Sequence, residues 1–264
     1  MSTILNQSLL RKITSVGLVA ILGIVLTMCQ QQVVDKPNTL SEVEQQQGWE
    51  LLFDGTSFDG WIGLGRDQIP EAHWTIEDGT IKKIPSGEVP VAEDGQPLQG
   101  GDIMTVDTYE NYELKWEWKI SEAGNSGLKY NVNEEMSTSN EPVHAALGFE
   151  YQILDDANHP DGEDPTHRTG GLYDLISPND QKDLLPVGEW NESRLVFDGN
   201  HGEHWLNNRK VVEFDLDTES FQNAFDESKY APIEGFADKR SGHIVLQDHG
   251  DAVWYRNIKI KVLE

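Results

Sequence analysis

The sequence predicts an all-β protein, either a sandwich or a barrel. From Trp49 onward, short runs of β-branched, aromatic and other apolar residues alternate with turn residues such as Asp, Asn and Gly. No amphipathic helix of useful length interrupts these runs. The chain also contains eight tryptophans, which could fill a wide core or stack on sugar rings. Many short strands at regular spacing are typical of β-sandwiches and barrels.

The first 28 residues predict a secretory signal peptide. Arg11 and Lys12 precede an apolar run over residues 13–28, which is short for a membrane span. The run ends at Cys29, the only cysteine in the chain, and residues 26–29 resemble the bacterial lipobox. We expect cleavage before Cys29 and attachment of lipid to it. An ordinary signal peptide or an uncleaved anchor are the alternatives.

Residues 29–47 are polar and show no sustained apolar period, so they predict a tether. Residues 48–264 then predict one large β domain. A lipid on Cys29 would hold this domain at the inner or outer bacterial membrane, in the periplasm or at the cell surface. We expect no other membrane contact.

The formal net charge of −26 narrows the choice of partners. So strong an excess of acidic groups argues against nucleic acid and against anionic lipid surfaces. It does not argue against a neutral carbohydrate.

Within the domain, turn residues divide the chain into strands. Trp74–Ile76 and Thr80–Ile84 flank Glu77-Asp78-Gly79 and predict a hairpin, and the Asn207-Asn208 turn predicts another. Further strands are predicted at 49–53, 102–106, 112–120, 125–132, 148–154, 170–175, 191–197, 203–206, 209–216, 242–247 and 253–263, with a loop over 85–101 and one or two helical turns over 219–227.

The strand that begins at Gly148 carries the most informative pattern. Alternation places Phe149, Tyr151 and Ile153 on one face and Glu150 and Gln152 on the other. The first three suit a packed sheet face. Glu150 and Gln152 are predicted to form the floor of a polar groove, and water or a ligand must cover that floor.

Several motifs in a fixed order resemble one known family. They are Trp49-Glu50-Leu51-Leu52-Phe53-Asp54-Gly55, Phe58-Asp59-Gly60-Trp61, Gly124-Asn125-Ser126-Gly127, Gly148-Phe149-Glu150-Tyr151-Gln152, Thr169-Gly170-Gly171-Leu172-Tyr173, Gly188-Glu189-Trp190-Asn191, Gly242 to Gly250, and Tyr255-Arg256-Asn257-Ile258. Together they resemble the 3-keto-disaccharide hydrolase domain family over nearly all of residues 49–263. One departure is Gly171, where alanine is more usual.

The resemblance implies a concanavalin-like jelly-roll sandwich of two curved antiparallel sheets, with the ligand on the concave sheet. It also implies cleavage of 3-keto-glycosides, including 3-keto-disaccharides. A ketone at carbon 3 acidifies the proton on carbon 2, so elimination followed by hydration, or direct hydrolysis, could break the glycosidic bond. The first route needs a base, a group that stabilises the enolate, and an acid for the leaving group.

Four residues are the candidates for these catalytic tasks. Glu150 could be the base, a metal ligand or a hydrogen-bond acceptor, or it could simply pair with Lys129 or Arg168. Lys129 could stabilise the enolate oxygen, or it could be a solvated strand lysine. Asp248 and His249, at the end of a strand, could form an acid/base pair or merely a turn. Glu150 and Asp248 could also be the two carboxylates of an ordinary glycosidase.

Five further residues are candidates for substrate binding. Asn125 and Ser126 could offer donors to sugar hydroxyls, although a plain turn is the alternative. Gln152 shares the polar face with Glu150. Arg168 and Tyr173 lie beside the acidic loop over residues 158–167 and could contact substrate or simply pack.

The cofactor is left open by the sequence. Eight Asp, Glu, Asn and His residues crowd the segment 155–167, and a divalent metal could bind them. Their spacing fits no known template, which favours a solvated acidic loop. The expected partners are a carbohydrate substrate and an oxidoreductase that makes the keto sugar upstream. The alternative function is a non-catalytic carbohydrate-binding lipoprotein.

Overall fold

Two antiparallel sheets form the protein, which we describe from a computed structural model over residues 36–93, 96, 98–139 and 145–263. The larger sheet has the order β12 (Arg209–Asp215), β11 (His201–Leu206), β10 (Asn191–Asp198), β7 (Tyr112–Ile120), β14 (Val253–Val262), β4 (Thr80–Lys83) and β3 (Trp74–Glu77), with β1 (Glu50–Leu51) also paired to β14. The smaller sheet has the order β2 (Trp61–Gly63), β5 (Ile103–Thr105), β13 (Ser241–Leu246), β8 (Asn125–Val132) and β9 (Phe149–Leu154), with β6 (Tyr109–Glu110) paired to β13.

Helices are short in this fold. They are α1 (Glu42–Gln46), α2 (Glu134–Ser139) and α3 (Glu219–Glu227), with single 3₁₀ turns at Ser86–Glu88, Pro160–Glu163 and Pro165–His167. In the part of the chain that the structure describes, no helix has the length and apolarity needed to cross a membrane. The all-β jelly-roll prediction is confirmed.

Alternation along β7 explains how the core forms. Leu114, Trp116 and Trp118 are buried on one face, while the residues between them are half-exposed. From the smaller sheet, Tyr151 brings its ring edge-on to Trp116, with ring centroids 4.9 Å apart. Such aromatic pairs add about 0.5–1.5 kcal/mol beyond the area they bury. The hydrophobic core therefore lies between the two sheets.

Strands β8 and β9 differ from β7 because every residue in both is buried. Their inner faces, with Leu128 and Tyr151 directly paired, pack in the core. Their outer faces are covered by residues 145–147 and 229–233, which come from elsewhere in the chain. The polar side chains on these outer faces are therefore enclosed.

One predicted strand is wrong. Residues 170–175 form a turn with two isolated bridges, at Leu172, and no strand. Gly170 and Asp174 adopt left-handed backbone angles, with φ of 83° and 61°. These angles reverse the chain twice within five residues, which no regular strand allows.

The part of the predicted tether that the structure describes is also ordered against the domain. The Asn38 side chain donates to the Gly79 carbonyl (2.8 Å) and accepts from the Asn257 N–H (2.8 Å). Ser41 and Glu44 form a capping box at the start of α1, and Glu44 pairs with Lys259 at 2.5 Å. Residues 1–28 and Cys29 lie outside the described residues.

Candidate active site

The centre of the site is a lysine–glutamate pair on neighbouring strands. Lys129 on β8 lies directly opposite Glu150 on β9, and both side chains point away from the core. Lys129 Nζ is 3.8 Å from Glu150 Oε2 and donates to the Ala146 carbonyl (3.0 Å). Lys129 is 7% exposed and Glu150 is 3% exposed. At this depth the two charges interact much more strongly than they would in water.

Two neighbours fix the position of Glu150. Gly127, its diagonal neighbour on β8, leaves the space that the carboxylate fills, because a Cβ there would lie 2.4 Å from Glu150 Oε1. Gln152 lies beside it on β9. When the Gln152 amide nitrogen faces Glu150, it donates to Glu150 Oε1 (3.1 Å) and to the Ser126 carbonyl (2.8 Å). Gln152 therefore orients the carboxylate rather than reaching into open space.

A second carboxylate, that of Asp102, lies close to the Lys129 ammonium group. Asp102 Oδ2 is 3.9 Å from Lys129 Nζ and accepts from the Ala146 N–H (2.8 Å), while Asp102 Oδ1 accepts from the Asp248 N–H (2.8 Å). Burial raises the pKa of Asp102, and the charge of Lys129 opposes this rise. Nothing in the sequence around Asp102 indicated this contact.

Lys129 and Glu150 line a cavity of about 430 Å³ on the outer face of the smaller sheet. We call it the keto-side cavity, after the part of the substrate that we later propose for it. Its walls are Asn125, Lys129, Ala145, Ala146, Leu147, Glu150, Tyr173, Lys229, Tyr230, Ile233, Gln247 and His249. The structure therefore places Glu150, Lys129 and His249 around a single cavity, as the sequence predicted.

Tyr173 forms one wall of the keto-side cavity. Its hydroxyl donates to Asp161 Oδ2 (3.2 Å), and its ring stacks on His167 with centroids 4.3 Å apart. His167 lies between two carboxylates, 3.4 Å from Asp161 and 3.1 Å from Asp174. Burial, followed by the charge of Asp161, raises the pKa of Tyr173. The phenol therefore stays protonated at neutral pH and is held in place.

Lys229 and Tyr230 line the cavity beside Tyr173, and sequence reasoning missed both. Lys229 Nζ lies 4.0 Å from the centre of the Tyr173 ring and 5.1 Å from that of Tyr230. Much of the Lys229 residue is exposed, yet the surrounding protein removes its ammonium group from water and lowers its pKa, while the charge of Glu150 opposes this change. The segment carries no motif, so only the fold could reveal it.

The predicted Asp248–His249 pair is separated by the structure. His249 is exposed and borders the keto-side cavity. Asp248 is bound elsewhere: its carboxylate lies 3.0 Å from His73 Nδ1 and 3.1 Å from Lys83 Nζ, and accepts from the Gly101 N–H (3.1 Å). Asp248 is therefore a structural anchor, and His249 alone faces the cavity.

Two predicted substrate-binding residues lie away from the cavity. Ser126 alternates with Lys129 on β8 and so faces the core, where its hydroxyl contacts the Tyr255 hydroxyl (2.9 Å) and donates to the Gln247 carbonyl (2.9 Å). Arg168 donates from Nε to the Gly162 carbonyl (2.8 Å) and fixes the acidic loop. By contrast, Asn125 and Tyr173 line the cavity.

Two carboxylates of the segment 155–167 are engaged in local bonds. Asp155 accepts from the Ala123 N–H and the Asn158 amide, both at 2.8 Å, and Asp164 caps the turn at Thr166. Within the described residues, the His and carboxylate side chains close enough to share a metal are His201, Glu203 and Glu213 on the larger sheet. Lys210 already neutralises the two glutamates, at 3.0 and 2.7 Å.

A jelly-roll sandwich with a cavity lined by carboxylate, ammonium, amide and hydroxyl groups is suited to binding a small polar ligand. The sequence profile of the 3-keto-alpha-glucoside-1,2-lyase-like domain matches residues 48–261. The chain belongs to this family and is a glycoside-cleaving enzyme.

Known relatives agree with this assignment. A 3-keto-disaccharide hydrolase of Bacteroides thetaiotaomicron is 37% identical over 236 residues, which are 82% of this chain and 79% of the relative. A solved structure from Parabacteroides distasonis, provisionally assigned as a glycosyl hydrolase, is 32% identical with a TM-score of 0.73, covering 87% of this chain and 100% of that one. A second protein of that organism, similarly assigned, is 27% identical with a TM-score of 0.59, covering 81% and 99%.

Proposed function

We propose that the enzyme cleaves glycosides whose sugar carries a ketone at carbon 3, disaccharides among them. The composition of the keto-side cavity carries this proposal. Among its described lining residues there is a single carboxylate, Glu150, together with two lysines, Lys129 and Lys229. The name of the Bacteroides relative supports the same substrate class.

This composition suits keto chemistry better than ordinary glycoside hydrolysis. A standard glycosidase places two carboxyl groups on either side of the bond that breaks. Asp248, the second carboxylate that the sequence offered, is instead bound to His73 and Lys83. A reaction through an enolate needs one base and a fixed positive charge at the ketone oxygen, and Glu150 and Lys129 supply these groups.

The proposed reaction begins at carbon 2. Glu150 takes the proton from carbon 2, and the electron pair of that C–H bond forms a carbon 2–carbon 3 double bond as the ketone oxygen becomes an enolate. The ammonium groups of Lys129 and Lys229 stabilise this negative charge. When the ketone re-forms, the electron pair moves to the carbon 1–carbon 2 bond and the bond from carbon 1 to the leaving oxygen breaks.

His249 is placed to complete the cycle. It borders the cavity from the exposed side and would protonate the leaving oxygen. Water then adds to carbon 1 and gives a proton to His249, while Glu150, after exchanging its proton with solvent, protonates carbon 2. The net result is hydrolysis. Direct displacement by water at carbon 1 gives the same products without removing the carbon 2 proton.

The experiment compares a nitrophenyl glucoside with its 3-keto derivative, with and without chelator, using the purified protein. We expect nitrophenol from the keto substrate alone. In D₂O, elimination and hydration place deuterium at carbon 2 of the released sugar, whereas direct hydrolysis leaves hydrogen there. Release from neither substrate contradicts the proposal and favours a non-catalytic carbohydrate-binding protein.

Matched variants connect the activity to the cavity. Glu150→Gln keeps the size of the side chain but cannot accept the proton, so we expect a loss of about 10²–10⁴-fold, the usual contribution of a general base. Glu203→Gln makes the same change on the larger sheet and should retain activity. Equal activity of the two variants would refute the role of Glu150.

We also propose that the protein is lipid-anchored in the bacterial cell envelope through Cys29, with residues 48–264 as the catalytic domain. An upstream oxidoreductase would oxidise the carbon 3 hydroxyl to the ketone. Labelled palmitate should appear in wild-type protein but not in Cys29→Ala, which should leave the membrane fraction. Membrane retention of unlabelled Cys29→Ala would instead indicate an uncleaved anchor.

A further inference from the structure

A second cavity adjoins the first. It has a volume of about 530 Å³ and shares Ala145 and His249 with the keto-side cavity. We call it the leaving-group cavity. Its remaining lining includes Arg66, His73, Ser86, Gln99, Asp248 and Gly250. We propose that this cavity binds the group released from carbon 1 and that it is built for a hydrophilic, sugar-like leaving group. This inference rests on the proposed function.

The position of the catalytic groups decides which cavity receives which part of the substrate. Glu150, Lys129 and Lys229 line only the keto-side cavity, so the ketone ring must bind there. His249 borders both cavities, so a bond that crosses from one to the other passes beside it. The part of the substrate beyond that bond then enters the leaving-group cavity.

The floor of the leaving-group cavity is rigid. Asp248 binds His73 and Lys83, and the other ring nitrogen of His73 lies 2.7 Å from the Leu98 carbonyl. Gly100 closes over this cluster, since a Cβ there would lie 2.4 Å from His73 Nδ1 and 2.5 Å from Asp248 Oδ2. A buried network of this kind holds its geometry without a ligand. The floor of the cavity is therefore preformed.

The chemistry of the lining indicates the class of ligand. Arg66, Ser86 and Gln99 present guanidinium, hydroxyl and amide groups, and the described lining includes no Leu, Ile, Val, Phe, Trp or Tyr. The keto-side cavity, by contrast, has Leu147, Ile233 and two tyrosines. A surface of donors and acceptors suits a polyhydroxylated ring better than an aromatic leaving group.

The two cavities are connected beneath their surfaces. The Asp248 N–H donates to Asp102, whose other carboxylate oxygen faces Lys129, and Lys129 faces Glu150. A polar chain thus extends from the floor of the leaving-group cavity to the proposed base. This chain holds the walls of the two cavities together, with Asp248 as its anchor.

The test narrows the leaving-group cavity and varies the leaving group. Ser86 is exposed on the cavity wall, so Ser86→Trp adds bulk there; Ser220→Trp makes the same change on α3, outside both cavities. We measure kcat/KM for the 3-keto derivatives of methyl glucoside and of a glucose disaccharide. We expect Ser86→Trp to lose about 10-fold or more on the disaccharide and little on the methyl glycoside. Ser220→Trp should match the wild type.

A binding measurement separates this inference from the proposed function. Saturation-transfer NMR with free glucose, the leaving-group sugar, should show contact with the wild type and Ser220→Trp, and reduced contact with Ser86→Trp. Thermal melting confirms that each variant is folded. Equal kinetic losses on both substrates, or unchanged glucose contact in Ser86→Trp, would overturn the inference. Failure of the wild type to cleave either keto substrate would refute the proposed function, while the glucose measurement would still test the cavity.

Discussion

Gly127→Ala should displace the proposed base without touching the substrate. The new Cβ would lie 2.4 Å from Glu150 Oε1, and 3.0 Å from both Cγ and Cδ of the same side chain. Ordinary contacts begin at 3.4 Å, so the carboxylate must move by 1.0 Å. A misplacement of about 1 Å can cost ~10²-fold in rate, or about 2.7 kcal/mol of transition-state stabilisation.

Stability should change much less than activity. Gly127 lies in extended backbone, where alanine limits the unfolded chain and contributes about 0.4–1 kcal/mol. The atoms that obstruct the Cβ belong to the Glu150 side chain, which lines the cavity, and no backbone atom is among them. The assay is therefore kcat/KM on a 3-keto glucoside, measured together with thermal melting. Gly87→Ala is the control, because no atom lies within 4 Å of the position of its Cβ.

A double variant isolates the cause of the loss. In Glu150→Ala the obstructing side chain is absent, so adding Gly127→Ala should cost no further activity. Such non-additivity is expected when two changes act through one group. Full activity of Gly127→Ala would refute the steric argument. Losses that multiply in the double variant would show that Gly127 acts through something other than Glu150.

Three further predictions concern stability. Lys129→Met leaves Asp102 without its cation, so it should lower the free energy of unfolding by about 3–5 kcal/mol at pH 7. Because burial raises the pKa of Asp102, this destabilisation should shrink as the pH falls. A destabilisation that does not change with pH in urea unfolding would contradict the prediction. Burial lowers the pKa of His204 from 6.5 to about 4. Between pH 7 and pH 4 the free energy of unfolding of the wild type should therefore fall by about 3 kcal/mol more than that of His204→Phe. The same pH dependence of unfolding in both proteins would contradict the prediction. Asn38→Ala removes two side-chain hydrogen bonds, one of them with Asn257, and should lower the free energy of unfolding by about 1–3 kcal/mol in denaturant. An unchanged denaturation midpoint would show that residues 36–47 act as a tether and do not stabilise the domain.

Sequence patterns predicted most of the strands because alternation and turn residues act locally. The hairpin of Trp74–Ile76 with Thr80–Ile84 and the buried face of β7 follow directly from neighbouring residues. The same alternation rule places Ser126 on the face opposite Lys129, yet its Gly-Asn-Ser-Gly context favoured a binding turn. A strict application of the rule would have assigned Ser126 to the core.

The rest of the site depends on contacts between distant parts of the chain. Asp102 directly precedes β5 and Lys129 is on β8, and Asp248 contacts His73 across a large separation in sequence. Lys229 follows a short helix and has no motif around it. Periodicity determines which face a side chain takes but not which segment covers that face. Only the three-dimensional structure shows which distant segments line the same cavity.

The polar face of β8 and β9 is costly for a folded sheet. Replacing a buried ion pair by apolar residues is often neutral or stabilises a protein by about 1–4 kcal/mol, so stability alone does not explain Lys129 and Glu150 there. Their position does: both side chains line the keto-side cavity. A buried ammonium group such as that of Lys129 is most useful where a negative charge develops during reaction, as on an enolate oxygen. The large aromatic core beneath the sheet offsets the cost of keeping that charge in place.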